Sequence, residues 1–230
     1  MTKSTYYIEA RLFPTVLTVI PLLILGNTII HDLYYDTLKS IINVLPLLTN
    51  LGLSAALLFL MVQINRFVAK EVFQRIYFKD EIFMPTTTHL LWNDNFFEFS
   101  IKENIRNKIK DRFHITLLTK EEELDDSIKG RKLIVSSVSQ IRNVLRDNKL
   151  LLQHNIEYGF FRNLLGGSLI AIFFSIILLI YGKIENASGI TIAALICLII
   201  YLIPILFSSI IIKRYGIYYS KILFEQFLTL

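Results

Sequence analysis

Long uncharged stretches alternate with a charged middle along this chain. Four runs contain no Asp, Glu, Lys or Arg: Leu12–Ile30, Ser40–Asn65, Asn163–Gly182 and Asn186–Ile212. Each is about 19 residues or longer, and a helix needs about 20 to cross roughly 30 Å of hydrocarbon. Soluble core helices rarely sustain such runs. Four of them predict four membrane-spanning helices, the longer two tilted or continued past the bilayer. A cleaved leader is the competing reading of the first run. Glu9, the prolines Pro14 and Pro21, and the lack of a small-x-small site after Ile30 argue for a retained anchor.

Between Arg66 and Arg162 the charge returns, with 17 Lys/Arg against 14 Asp/Glu. Met61–Lys79 lacks Gly and Pro and sets Arg66/Lys70 and Glu71/Arg75 at i,i+4. This spacing predicts that the second span continues as helix toward Pro85, which disfavours helix at the residue before it. The stretch from Pro85 to Asn95 reads as extended chain and turn. Ser100-x-x-Glu103 is a capping-box pattern opening a helix with Ile101, Ile105, Ile109 and Phe113 as its apolar stripe. Thr119-x-x-Glu122 repeats the pattern, and the acids of Glu121–Asp126 suit a helix N-terminus. Ile134, Val138, Ile141 and Leu145 space a second amphipathic helix, which Gly130 weakens near its start. From Asn148 a further helix carrying Leu151, Tyr158 and Phe161 leads into the third span.

The expected organisation is an all-α integral membrane protein with four transmembrane helices arranged 2+2 around an inserted small helical domain. Residues 1–66 hold spans one and two, 67–162 a ligand-binding domain, 163–212 spans three and four. Residues 213–230 form an amphipathic helix, lying at the headgroups or packing on the inserted domain. That domain is too small to bury a large core alone, and is expected to complete its packing with copies of itself or with the membrane helices.

Composition agrees with this class. Hydrophobic residues make up 53% of the chain and charged residues 19%, where soluble domains carry about 25% charged. The two short loops on one side offer only Lys39 and Lys183, each offset by acids. The other side holds Lys3, Arg11, Arg66, Lys70, Arg75, Arg162, Lys213, Arg214 and Lys221. The positive-inside rule then puts both termini and the central segment in the cytoplasm, in a multi-pass protein of the inner cell membrane. The single cysteine, Cys197, lies in the fourth run and leaves no internal disulfide or cysteine metal cage.

Catalytic signals are absent from the pattern. The four histidines are scattered, and there is no nucleophile elbow, dinucleotide fingerprint or P-loop. No catalytic residue, cofactor or metal is expected. Gly166-Gly167 reads as a site of close helix packing.

Two features are candidates for function. The spans hold no ionisable side chain, which argues against proton-coupled transport. They do carry weakly polar stripes containing Thr18 and Pro21, Asn50 and Ser54, and Tyr201. Helix packing in lipid uses such residues, and so would an uncharged pore built from several copies. In the middle domain Lys102, Arg106 and Lys110 stand at i, i+4 and i+8, with Arg131, Lys132, Arg142 and Arg146 later. Cations so spaced can meet successive phosphates, with Trp92, Phe96 and Phe97 offering stacking surfaces for bases. A solvated helix face, or attraction to anionic lipid heads, would use the same residues.

Two spans, a small basic domain around Lys102–Arg112 and Arg131–Arg146, two more spans and no catalytic motif resemble the membrane effectors of bacterial anti-phage systems that answer nucleotide signals. In layout the chain is similar to the effector family of the Hailong system. The resemblance implies an antiviral, ligand-gated ion channel, homo-oligomeric in membrane lipids, topped by a DNA-binding cytoplasmic crown. A nucleotide or single-stranded oligonucleotide signal held there, made by a nucleotidyltransferase encoded nearby, would control opening. No pore signature carries over from that family. The competing reading is a non-conducting anchor or adaptor that recruits a protein partner.

Overall fold

The computed structural model describes residues 3–28 and 46–230, with backbone alone for residues 3 and 46–54. Every regular element among the described residues is a helix. In chain order these are α1 (Lys3–Tyr7), a π-helical turn (Ile8–Leu12), α2 (Phe13–Thr18), α3 (Ile20–Thr28) and α4 (Pro46–Val68). A second π-helical stretch (Ala69–Gln74) leads into α5 (Arg75–Phe78), then a 3-10 turn (Glu81–Phe83) and α6 (Pro85–Thr88). There follow α7 (Phe99–Phe113), α8 (Lys120–Asp125), α9 (Ser127–Val144), α10 (Lys149–Ile184), α11 (Ser188–Leu206) and α12 (Ser208–Leu228).

The chain divides into two compact units. Of the described residues, an apolar unit comprises 3–28, 46–73 and Gly159–Ser209; a polar unit comprises Gln74–Tyr158 and Ile210–Leu230. Among the described residues two helices, α10 and α11, are long and apolar enough to cross a membrane, and the bent pair Ser4–Thr18 and Ile20–Thr28 makes a third if it is one span. The Ser40–Asn65 run lies partly outside the described residues.

The 43° bend of that pair has a cause. A proline has no N–H, so the carbonyl four residues earlier loses its helical donor. Pro21 frees the Leu17 carbonyl in this way, and the Tyr201 hydroxyl of α11 donates to it at 2.6 Å. Pro14 frees the carbonyl of Ala10, and the Asn163 amide of α10 donates to that one at 2.6 Å. In an apolar solvent each carbonyl needs such a partner. Between these points Asn65 of α4 donates to the hydroxyls of Thr15 (3.2 Å) and Thr18 (3.1 Å).

These contacts correct the expected pore lining. Thr18 is 2% and Tyr201 6% exposed, and Pro21 is buried with them inside one copy of the chain. Their polar atoms satisfy backbone freed by proline or bond a neighbouring helix. Asn50 and Ser54 lie outside the described side chains. The glycine pair does bring helices close: a Cβ on Gly166 would stand 2.7 Å from the Ala69 nitrogen, and one on Gly167 2.7 Å from the Asn65 amide nitrogen.

In the polar unit the helix through α5 ends at Lys79, whose φ of 59° breaks the helical path. The stretch after Pro85 differs from the expected extended chain: Pro85–Thr88 is one helical turn, with Pro85 at a position where its missing N–H costs nothing. Thr119 and Glu122 make both bonds of the capping box. Ser100 does not cap. Helix α7 starts two residues earlier than that cap would set it, at Phe99 after Glu98, with no side-chain cap. At its other end His114 adopts the left-handed conformation, φ 56°.

The core of this unit joins Ile105 and Ile109 of α7 to Ile134, Val138 and Ile141 of α9, with Leu90, Leu91 and Phe97 from the segment between α6 and α7. Leu223, Phe224 and Phe227 of α12 are fully buried in the same cluster. The C-terminal helix is therefore part of this core. Lys108 of α7 donates to the Leu228 carbonyl at 2.9 Å, and Asn148, which caps α10, donates to Gln226 at 2.7 Å.

Candidate functional site

Helix α7 turns Lys102, Ile105, Arg106 and Ile109 inward, at spacings of three and four that define one helical face. This corrects the expected phosphate ladder. The Lys102 ammonium, 3% exposed, donates to the carbonyls of Leu91 (2.9 Å), Trp92 and Asp94. Its three donors thus tie down the turn that precedes α7. Arg106, 6% exposed, donates to the Leu90 carbonyl at 2.6 Å, to the Leu118 carbonyl, and to Glu123 at 2.8 Å. Burial lowers the guanidinium pKa, and the hydrogen bond and charge of Glu123 oppose that fall. The second Glu123 oxygen accepts from the Trp92 backbone N–H at 2.9 Å. Gly130 leaves room for this carboxylate: a Cβ there would sit 3.2 Å from Glu123 Cγ.

The other cations divide. Arg131 donates to the Ile82 carbonyl at 3.0 Å and covers the Phe83 ring. Arg142 pairs with Glu81 at 3.2 Å and lies over Tyr219. Lys110, Lys132 and Arg146 are exposed on the outer faces of α7 and α9 and just past the end of α9. Trp92, expected as a stacking platform, is engaged: Arg106 lies 4.3 Å from its ring, Phe99 stacks on it at 4.9 Å, and Nε1 donates to the Leu118 carbonyl.

Phe96 and Phe97 do line a cavity. It has a volume of about 560 Å³ between α7 and α12, with Ile101, Tyr218, Lys221 and Glu225 among the residues of its wall. Small-molecule sites typically span about 300–1,000 Å³ with apolar walls and a few polar groups. Here Lys221 and Glu225 are the charged pair, 3.7 Å apart at i,i+4. Phe96 stacks on His89 at 3.9 Å, and Phe97 meets Phe224 edge-on at 5.9 Å, so the aromatic wall is backed by packed rings. His89 faces the Ser220 hydroxyl at 3.0 Å. Burial pushes its pKa down to about 4, Lys102 adding to the fall and Asp94 opposing it, so the ring is neutral at pH 7.

Tyr218, Lys221 and Glu225 were not among the expected site residues. Their signal was present as spacing: Tyr218, Lys221 and Glu225 recur at three and four along α12. The periodicity cannot say which partner that face meets. Among the described residues no group of three His, Cys, Asp or Glu side chains lies close enough to hold a metal ion. No protein-family model, no curated protein and no solved structure matches this chain.

Proposed function

We propose that this protein is an oligomeric, channel-type effector of the bacterial inner membrane, with four spans and a cytoplasmic polar unit that binds a nucleotide or single-stranded oligonucleotide signal. In this reading a base enters the α7–α12 cavity against Phe96 and Tyr218, and Lys221 meets a phosphate at its edge. Exposed Lys110, Lys132 and Arg146 meet further phosphates of a longer ligand. The role is anti-phage defence, as the resemblance in layout implies.

One observation carries the reading. Helix α10 is unbroken for 36 residues, about 54 Å at 1.5 Å per residue. Its start belongs to the polar unit, where Leu151 joins the core, and its remainder is an apolar span. One continuous helix thus belongs both to the unit with the cavity and to a segment long and apolar enough to cross a bilayer. A ligand that prefers one arrangement of the polar unit then biases the span by its differential affinity.

The test uses the detergent-purified full chain. We expect excess absorbance at 260 nm that nuclease or heat extraction releases, and its loss in the double variant Phe96→Ala/Lys221→Glu. Liposomes holding the ligand-stripped protein should pass ions at a rate that added ligand changes. Absence of any nucleic-acid absorbance, together with inert liposomes, would overturn the proposal.

The apolar character of the cavity wall favours a second reading, a non-conducting adaptor that holds an apolar helix of a protein partner. Inert liposomes with a co-purifying protein that Phe96→Ala releases would select it.

A further inference from the structure

Two crossings in the apolar unit bring backbones unusually close. A Cβ on Gly159 of α10 would lie 3.0 Å from the Ala10 Cβ, and one on Gly166 lies within 2.9 Å of the Ala69 Cβ. Asn163, between those glycines, bonds the Ala10 carbonyl. Ala10 and Ala69 are fully buried, and both sit in π-helical turns. Such turns admit an extra residue per turn and often mark functional positions because they re-aim side chains.

Four of the residues at these crossings have a cation beside them in the chain. Arg11 follows Ala10, Arg66 follows Asn65, Lys70 follows Ala69 and Arg162 precedes Asn163. These cations share one field: burial lowers the pKa of Lys70, and Arg162, Arg66 and Arg11 lower it further, in that order, with Glu71 alone opposing. Arg11 packs over Tyr6 at 5.2 Å, and its Nε is buried with no acceptor among the described residues.

The depth of the cluster is readable from the chain. Arg11 immediately precedes the uncharged run Leu12–Ile30, Arg66 ends the run Ser40–Asn65, and Arg162 precedes Asn163–Gly182. All three stand where an apolar run meets the charged chain. Large apolar side chains lie bare close by in sequence: Phe13 is 53% and Phe67 66% exposed. A concentration of positive charge beside exposed aromatic surface calls for an anion with hydrocarbon attached.

We propose that Arg11, Arg66, Lys70 and Arg162 form a binding site for the phosphate of an anionic phospholipid headgroup, with the acyl chains lying along Phe13 and Phe67. The bound phosphate ties the N-terminal helices, α4 and α10 together at the end of the apolar unit. Juxtamembrane cations attract anionic lipid by roughly five-fold in affinity per charge.

Native mass spectrometry of the full chain in detergent, titrated with phosphatidylglycerol, phosphatidylcholine or glycerol 3-phosphate, tests the site. Phosphatidylglycerol should stay bound under conditions that strip phosphatidylcholine. Arg66→Gln/Lys70→Gln should weaken it on the order of 25-fold, two charges at that five-fold step. Arg66→Lys/Lys70→Arg should retain it. Lys110→Gln/Lys132→Gln/Arg146→Gln, on the polar unit, should leave it unchanged. Equal retention of the two lipids by the unmodified chain overturns the proposal without recourse to any variant. Wild-type affinity in the Gln double variant overturns it as well. Displacement of phosphatidylglycerol by glycerol 3-phosphate at comparable concentration would assign the site to a soluble phosphate and so also overturn it.

Discussion

Lys102 and Arg106 sit on the same face of α7 as Ile105 and Ile109, and that shared face explains why they are buried. A lysine or arginine is accepted there only when every donor finds a carbonyl or a carboxylate. Arg106 and Glu123, 6% and 7% exposed at their side chains, meet this condition. Removing one partner strands the other. Glu123→Leu should therefore cost about 3–5 kcal/mol in denaturant unfolding of the polar unit, while Arg106→Met/Glu123→Leu should recover most of that loss. A double variant no more stable than the single one would show that the pair does not act as a unit. His89 gives a pH signature. Its folded pKa of about 4 lies below the usual 6.5, so the unfolded chain takes up a proton first as pH falls. The contribution is complete above about pH 6.5 and is lost as pH drops through about 4, on the order of 3 kcal/mol over that window. Wild type minus His89→Gln, followed by thermal unfolding between pH 7.5 and 4, should show this fall, with wild type losing more.

At the level of elements, two prolines and two glycines organise the apolar unit. Each proline releases a carbonyl that a side chain of α10 or α11 recovers, so the bend of the first helical pair and the positions of Asn163 and Tyr201 belong together. Gly166 lets α10 reach the backbone of α4, and Gly167 makes room for the side chains of Thr18 and Asn65. Gly166→Ala places a Cβ against the Ala69 backbone, which cannot rotate away, and should cost about 1–3 kcal/mol of thermal stability in detergent. Gly189→Ala, where nothing lies within 4 Å, should be neutral within about 0.5 kcal/mol. A Gly166→Ala chain as stable as wild type would mean that α10 and α4 can separate without cost. The capping box at Thr119 was legible because cap and carboxylate are local in sequence. Ser100-x-x-Glu103 has the same pattern and does not cap, because α7 begins at Phe99 after Glu98.

For the molecule as a whole, the chain divides into an apolar and a polar unit, and the polar unit takes up residues from both sides of the third and fourth uncharged runs. The structure adds α12 to the polar unit. Lys213–Leu230 carries tyrosines and phenylalanines at helical spacing, a pattern shared by a headgroup helix and a core helix, and only the partner distinguishes them. Leu223, Phe224 and Phe227 at full burial identify the partner as α7 and its neighbours. The cavity edged by Lys221 exists because that packing leaves space beside Phe96.

Helix formation and the apolar character of the spans could be read along the chain, since both arise from neighbouring residues and from the length of uncharged runs. Which cations face water, which prolines find a donor for their freed carbonyls, and where a cavity opens depended on residues distant in sequence. Lys102 and Lys110 look alike on the page. They differ because the turn at Leu91–Asp94 folds over one of them, and a carbonyl brought from another segment replaces water only once the chain has closed.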